Sequence, residues 1–214
     1  MRLLTPPRGM KSSGKTSGDA CKLVMLGSAG VGKSALVVRY LTKRFIWEYD
    51  PTLEYAYRHQ TQVDEELANL EILDTAGLDD SPCYESHLKW GDGFMIVYSV
   101  NDRRSFDEVK VIKRTLDEIR KSRNVSCVIV GNKSDLDHDR RVTTAEGEGL
   151  AAEHACAFFE TSACDGGAEI QEAFHELYRE VRRRKILENK SRRRSSAAQV
   201  KNVLGKMFTK INSG

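Results

Sequence analysis

Short apolar runs alternate along the chain with segments of helical periodicity. Three runs are apolar almost throughout, as expected of parallel strands covered on both faces; they lie at 21–26, 93–100 and 125–131. Further predicted strands lie at 157–160, 68–74 and 56–63, the last two pairing across the turn 64–66. Helical patterns occupy 35–41, 105–121, 144–153 and 169–184, and Thr143 with Glu146 fits a capping box before the third. Strands that alternate with helices predict an α/β fold with a doubly wound sheet.

The first strand is followed by a complete phosphate-binding loop. Its residues are Gly27, Ser28, Ala29, Gly30, Val31, Gly32, Lys33 and Ser34. Between a strand and a helix, such a loop turns its backbone N–H groups and the positive helix end toward phosphates. Lys33 would contact the β- and γ-phosphates, and the Ser34 hydroxyl would bind magnesium. A glycine-rich turn at a helix start is the simpler alternative, but both glycines are in register with the Lys and the Ser.

Two later segments indicate that the base is guanine. Asn132, Lys133 and Asp135 follow a predicted strand, at the sheet edge where ligands bind in open α/β sheets. The Asp135 carboxylate matches the paired N1–H and N2–H₂ donors of guanine, which adenine lacks. A second base contact is expected from Ser162, Ala163 and Cys164, where the Ala163 N–H could donate to guanine O6.

The segments between these motifs are expected to contact the third phosphate and its metal. Asp74 ends a predicted strand and would hold magnesium, while the Gly77 N–H would meet the γ-phosphate. Upstream, the Thr52 hydroxyl is the other expected magnesium ligand, and Tyr49 lies in the same loop. Loops ordered only by a γ-phosphate and its metal form an order–disorder switch. Phe45 would pack against the base edge, although plain core packing explains it equally well.

With these motifs, residues 20 to about 186 resemble a small GTPase of the Ras superfamily. Residues 41–54, 90–94 and 192–196 also resemble one subgroup of that superfamily. The resemblance implies a P-loop three-layer sandwich, with a six-stranded, mostly parallel sheet flanked by helices. It also implies GTP or GDP with Mg²⁺ as cofactors, and partners that exchange nucleotide or stimulate hydrolysis. An effector loop is implied at Tyr49, Asp50, Pro51, Thr52, Leu53, Glu54 and Tyr55.

Leu78 is the main departure from the family pattern. Family members usually carry Gln directly after Asp-Thr-Ala-Gly, where it orients the attacking water. Leucine has neither donor nor acceptor, so Leu78 cannot orient the water. Within the implied catalytic set Lys33, Gly77 and Leu78, this change predicts slow GTP hydrolysis with nucleotide binding intact. The alternatives are that Asp79 or Asp80 orients the water, or that the protein is a GTP-dependent interaction module without useful hydrolysis. A phosphotransferase or ATPase is disfavoured by Asp135.

Two further departures concern partners and regulation. Ala29 occupies a phosphate-loop position that is glycine in Ras proper, and Tyr55 stands where Ras proper carries Asp. Tyr55 should weaken effectors whose basic residues require a carboxylate. The effectors and the exchange factor are not specified by the sequence.

Charge is distributed unevenly between a domain and a tail. The chain has 214 residues and a net charge of +3. From Arg179 onward there are 12 basic and 2 acidic residues, against 22 basic and 29 acidic before it. We therefore expect a flexible segment 1–19, a GTPase domain 20–186 and a basic tail 187–214. An anionic membrane is the favoured partner of the tail, a solvated charge run is the alternative, and nuclear import or nucleic acid comes third.

The tail carries further expectations. An apolar helical stripe at 200–211 fits a membrane interface, a partner groove or the chain's own domain. Ser195 and Ser196 follow three arginines and are candidate phosphorylation sites. No Cys-aliphatic-aliphatic-X box ends the sequence, so we expect no prenylation and only electrostatic, reversible contact with the membrane. We also expect a largely cytoplasmic monomer, with the membrane or the nucleus as further locations. Five cysteines without metal spacing are expected to be reduced core thiols.

Overall fold

The computed structural model describes residues 20–45, 54–76, 84–121 and 125–211, with side chains as far as residue 190. In chain order the elements are β1 (Cys21–Leu26), α1 (Lys33–Thr42), β2 (Tyr55–Val63), β3 (Glu66–Asp74), α2 (Tyr84–Trp90), β4 (Gly93–Ser99), α3 (Arg103–Arg120), β5 (Ser126–Asn132), a 3-10 turn (Asp137–Asp139), α4 (Thr144–Glu153), β6 (Ala157–Thr161) and α5 (Ala168–Ile211).

The six strands form one sheet in the order β2-β3-β1-β4-β5-β6. Only the β2–β3 hairpin is antiparallel, and the other four pairings are parallel. Every residue of β4 and β5 is buried, because helices cover both faces of the sheet there. The predicted six-stranded, mostly parallel sheet is confirmed.

Helices pack on both faces of the sheet and give three layers with two cores. On one face, Leu36 of α1 and Leu177 of α5 belong to the same core as Ile72 of β3. The rings of Tyr40 and Phe174 stack 4.1 Å apart and join α1 to α5. On the other face, α2, α3 and α4 cover β1, β4 and β5. This arrangement leaves the carboxyl ends of the parallel strands open at one edge.

The helix starts follow from their caps. The predicted capping box is present, since Thr143 accepts from the Glu146 N–H and α4 begins at Thr144. α3 begins two residues earlier than its apolar pattern predicts, because the Asp102 carboxylate accepts from the N–H groups of Arg104 and Ser105. The seven-residue helix α2 had no prediction, and its single buried residue, Leu88, explains why periodicity gave no signal.

α5 is much longer than the predicted helix 169–184, because its backbone remains helical through Ile211. Among the side chains that the structure describes in α5, which extend to residue 190, Arg184 and Lys185 are the last that bond to Asp92. Arg184 Nη2 donates to the Asp92 carbonyl at 2.7 Å, and Lys185 Nζ to Asp92 Oδ2 at 2.8 Å. Ser195, Ser196 and the apolar stripe lie on helical backbone whose side chains are outside the described part. Within the described residues, no helix has both the length and the apolar character needed to cross a bilayer.

Candidate functional site

The predicted nucleotide residues meet at the open edge of the sheet. The phosphate loop follows β1, Asp74 ends β3, and the two base segments follow β5 and β6. The structure thus brings together residues 27–34, 74, 132–135 and 162–164. Several predicted positions lie outside the described residues: Tyr49, Asp50, Pro51, Thr52, Leu53, Gly77 and Leu78.

The phosphate loop has a backbone path that side chains would obstruct. Gly27 and Gly32 have φ of 139° and 97°, in the region that favours glycine. A Cβ at Gly27 would collide with the backbone carbonyl of Val97, and one at Gly32 with the Asn132 side chain. The loop therefore needs glycine at both positions for two reasons, conformation and space.

The Lys33 side chain lies inside the phosphate loop and hydrogen-bonds to its backbone. Its side chain is only 5% exposed, and Nζ donates to the carbonyl oxygens of Gly27 at 2.8 Å and Ser28 at 2.9 Å. Gly32 is the N-cap of α1, no side chain among the described residues caps that helix start, and its first turn contains no acidic residue. The ammonium and the positive helix end therefore give this edge a cationic character suited to phosphate.

Asp74, which is buried, and Ser34, which is half-buried, form a pair of oxygen ligands. Asp74 is 2% exposed, and the Ser34 hydroxyl hydrogen-bonds to its carboxylate. Burial raises the pKa of Asp74, opposed by the Ser34 hydrogen bond and the Lys33 charge. Asp74 Oδ1 is buried without a hydrogen-bond partner among the described residues. An unsatisfied carboxylate oxygen beside a hydroxyl is the donor set that Mg²⁺ prefers, so these residues fit the metal.

Asn132 connects the phosphate loop to both base segments. Its side chain is 1% exposed, and Nδ2 donates to the Val31 carbonyl at 2.8 Å. Oδ1 accepts from the Ala163 N–H at 3.2 Å and the Thr161 hydroxyl at 3.4 Å. The Ala163 N–H, expected to donate to guanine O6, is thus directed at Asn132, and a base contact would require it to be shared.

Asp135 is positioned by the neighbouring base segment. The Ser162 hydroxyl donates to Asp135 Oδ1 at 2.6 Å and accepts from the Asp165 N–H at 2.9 Å. Lys133, half-buried with φ of 65°, turns the chain between Asn132 and Asp135. Asp135 and Cys164 are both exposed. An exposed carboxylate held by a buried serine can accept from a ligand without moving.

Two residues at the edges of the site, His87 and Glu108, were not indicated by the sequence. Phe45 is half-buried and packs against the core, which agrees with the packing alternative. Glu54 pairs with His87 of α2 (Oε2 to Nε2, 3.4 Å), and Tyr55 is 50% exposed.

The Ser28 hydroxyl donates to Glu108 of α3, whose other oxygen accepts from Arg104 Nε at 3.1 Å. The Arg104–Glu108 spacing could have been read from the sequence, but the contacts to Ser28 and Glu54 depend on the fold.

A strand order of this kind, with a phosphate loop after β1 and guanine-type segments after β5 and β6, defines a P-loop GTPase. Residues 22–183 match the model of the Ras family, and the chain belongs to that family. Ras-family proteins are small signalling GTPases that bind GTP and GDP with Mg²⁺.

Individual relatives resemble the chain over most of its length. It is 60% identical to the Ras-related and estrogen-regulated growth inhibitor of Homo sapiens over 192 residues, covering 90% of this chain and 96% of the relative. The Bos taurus protein of the same name shows the same identity and coverage. The GTP-binding protein Rit1 of Mus musculus is 42% identical over 186 residues, covering 82% of this chain and 84% of the relative.

Proposed function

We propose that this chain is a GTP-binding signalling switch with weakened GTP hydrolysis. One observation carries the proposal: Leu78 follows Asp74-Thr75-Ala76-Gly77 directly, beside otherwise intact nucleotide motifs. In the family resemblance that position holds the Gln that orients water. Because leucine cannot hydrogen-bond, the protein would bind GTP, hydrolyse it slowly and remain longer in the GTP form.

The phosphate side of the site supports tight nucleotide binding. Lys33, positioned by the carbonyl groups of Gly27 and Ser28, would contact the β- and γ-phosphates. Ser34, Asp74 and Thr52 would hold Mg²⁺, whose charge offsets that of the phosphates when it is bound. Asp74 Oδ1, buried without a partner among the described residues, supports its part in that set. The Gly77 N–H is assigned to the γ-phosphate.

The base side supports selection of guanine. Asp135 would accept from N1–H and N2–H₂, with its orientation fixed by Ser162. The Lys133 stem would cover the base, and Phe45, which also packs against the core, would lie against the base edge. Ala163 with Cys164 would line the O6 side. An adenine base would leave the Asp135 carboxylate facing no donor pair, which disfavours ATP.

The test of slow hydrolysis is single-turnover GTP hydrolysis by the full chain. A group that positions or stabilises the transition state contributes about 3 kcal/mol, which is roughly a hundredfold in rate. We therefore expect Leu78→Gln to accelerate hydrolysis strongly with little change in GTP affinity. Leu78→Met is the matched control, because it keeps an apolar side chain of similar size. Equal rates for the wild type and Leu78→Gln would contradict the proposal.

Two alternatives are separated by the same assay. If Asp79 or Asp80 orients the water, Asp79→Asn or Asp80→Asn will slow an otherwise ordinary wild-type rate. A chain that binds GTP and shows no measurable turnover is a GTP-dependent interaction module, which Leu78 also favours. The effectors remain unidentified in either case, and Tyr55 argues against partners that require an acidic residue there.

For the tail, we propose reversible electrostatic contact with anionic membrane by a largely cytoplasmic monomer. The support is the excess of basic residues from Arg179 onward. Residues 20–186 would form the GTPase domain and 187–214 the membrane-contacting tail. Phosphorylation at Ser195 or Ser196 would add negative charge and weaken the contact. Changing both serines to Glu should lower binding to phosphatidylserine vesicles relative to Ala at both positions; equal binding would argue against the tail contact.

A further inference from the structure

Two cysteines occupy neighbouring positions on adjacent parallel strands, far from the nucleotide edge. The β5–β6 register pairs Val128 with Ala157, so Cys127 and Cys156 are the residues immediately before that pair. Both pack into the same core, on the face of the sheet that α3 and α4 cover. The two thiol groups lie close enough for each to shift the pKa of the other, while the Cys156 thiol donates to the His154 carbonyl at 3.4 Å.

This placement fits the geometry of a disulfide. Adjacent strands lie about 4.8 Å apart, within the roughly 4.4–6.8 Å Cα separation that disulfides span. Because both residues directly precede a registered strand pair and pack into one core, a bond between the sulfur atoms requires little backbone movement. In the part of the chain described here, all four cysteines are free thiols.

The surroundings make the two thiols unequal. Cys127 is 4% exposed, whereas Cys156 is only partly buried. The Lys113 ammonium, itself buried and bound to Asp117 at 2.6 Å, contributes positive charge at both sulfur atoms. Interaction with the Cys127 thiol lowers the pKa of Cys156, helped by Lys113 and opposed by burial and by Asp117. The same interaction and burial raise the pKa of Cys127.

Two surface cavities border the segments that carry the pair. A surface cavity of about 750 Å³ between α3 and α4 is lined by Lys113, Asp117 and His154. A second cavity, of about 210 Å³, lies beside α5 and is lined by Cys127 and Ala157. Cys156, which is only partly buried and directly follows Ala155 of the first cavity, is therefore the more accessible thiol for a small oxidant.

We propose that Cys127 and Cys156 form a reversible oxidation site whose oxidant is a small peroxide. The Cys156 thiolate attacks one peroxide oxygen, the O–O bond breaks, and hydrogen peroxide leaves hydroxide and a Cys156 sulfenic acid. The Cys127 sulfur then attacks the Cys156 sulfur, and its proton leaves with the hydroxyl group as water. Overall, two thiols and one hydrogen peroxide give one disulfide and two waters. Cellular thiols reduce the bond again, as expected of a transient disulfide.

The test uses full-length protein loaded with GDP and Mg²⁺ and treated with hydrogen peroxide. Free thiols are alkylated, and peptides are mapped by mass spectrometry without reduction. We expect a linked Cys127–Cys156 peptide, lighter by two hydrogens and cleaved by dithiothreitol. Cys127 should be lost on the order of tenfold faster than Cys21, another buried thiol, whose pKa burial raises to about 12.

Two variants test which cysteine is oxidised first and which one then forms the disulfide. Cys127→Val keeps a buried apolar side chain on the strand; a dimedone-trapped sulfenic acid should then accumulate on Cys156. Cys156→Ser should leave Cys127 reduced. Cys164, exposed and remote from the pair, reports general oxidation. If Cys164 is oxidised while both paired thiols persist, or if Cys156 sulfenic acid accumulates equally with and without Cys127, the proposal is wrong. The wild-type peptide map decides the matter even if a variant fails to fold.

Discussion

The phosphate loop and the two base segments keep their shapes by different means. In residues 27–34, glycines adopt left-handed backbone and leave no room for side chains at Gly27 and Gly32. In residues 132–135 and 162–164, side-chain hydrogen bonds from Asn132 and Ser162 connect the loops. The phosphate loop depends on glycines that have no side chain, whereas the base segments depend on side chains that form hydrogen bonds. Substitutions should therefore fail abruptly in the phosphate loop and gradually in the base segments.

The largest expected effect is the difference in stability loss between substitutions at two glycines of the phosphate loop. Gly27→Ala combines positive φ with a collision against the Val97 backbone, and should destabilise the GDP-loaded protein by roughly 3 kcal/mol or more. Gly30→Ala is the matched control, since φ is 79° there but no described atom lies within 4 Å of the added carbon. It should lower stability by only about 1 kcal/mol. Urea unfolding measures both, and equal losses would show that steric exclusion does not shape the loop.

An intermediate effect is expected for the bridging amide. Asn132→Ala leaves the buried Val31 carbonyl without its donor and releases both base segments, which should weaken GDP binding by roughly 2–3 kcal/mol. Ser162→Ala removes one hydrogen bond to Asp135 and should weaken binding by about 1 kcal/mol. Dissociation rates of a fluorescent GDP analogue compare the two. If Ser162→Ala is as severe as Asn132→Ala, the connection to the phosphate loop is unimportant.

The smallest expected effect lies where α3 touches the phosphate loop. Glu108→Gln keeps the shape of the side chain but weakens its bond to the Ser28 hydroxyl, so stability should fall by about 0.5–1 kcal/mol. Ser28→Ala should give a similar change, and the double variant should show a coupling between the two positions. Strictly additive losses, measured by thermal unfolding, would mean that the contact contributes nothing.

Much of the nucleotide site and of the sheet could be predicted from the sequence, but the Asp102 cap and the short helix α2 could not. The phosphate loop, the position of Asp74 at the end of β3 and the Asn132–Asp135 segment follow from motifs attached to apolar strands. The sheet was predictable for the same reason, since β4 and β5 are mostly apolar and buried throughout. Caps and short helices were harder. α3 starts early because Asp102 caps it, and α2 has a single buried residue.

The cross-links within the site could not be predicted. Asn132 and Val31 are 101 positions apart, and Ser28 and Glu108 are 80 apart. No local pattern marks such pairs, because they arise only when the sheet order places β1 beside β4 and β4 beside β5. The Cys127–Cys156 pair has the same origin in the β5–β6 register. Motifs thus identify which residues face the ligand, while topology decides which residues restrain them.

Because one buried amide bonds to both halves of the nucleotide site, the halves should respond to ligands as a unit. A compound carrying only guanosine, by ordering the loop around Asn132, would prepare the other half for a separate pyrophosphate. The two fragments should then bind with positive cooperativity, and by thermodynamic linkage each would increase the affinity of the other by the same factor.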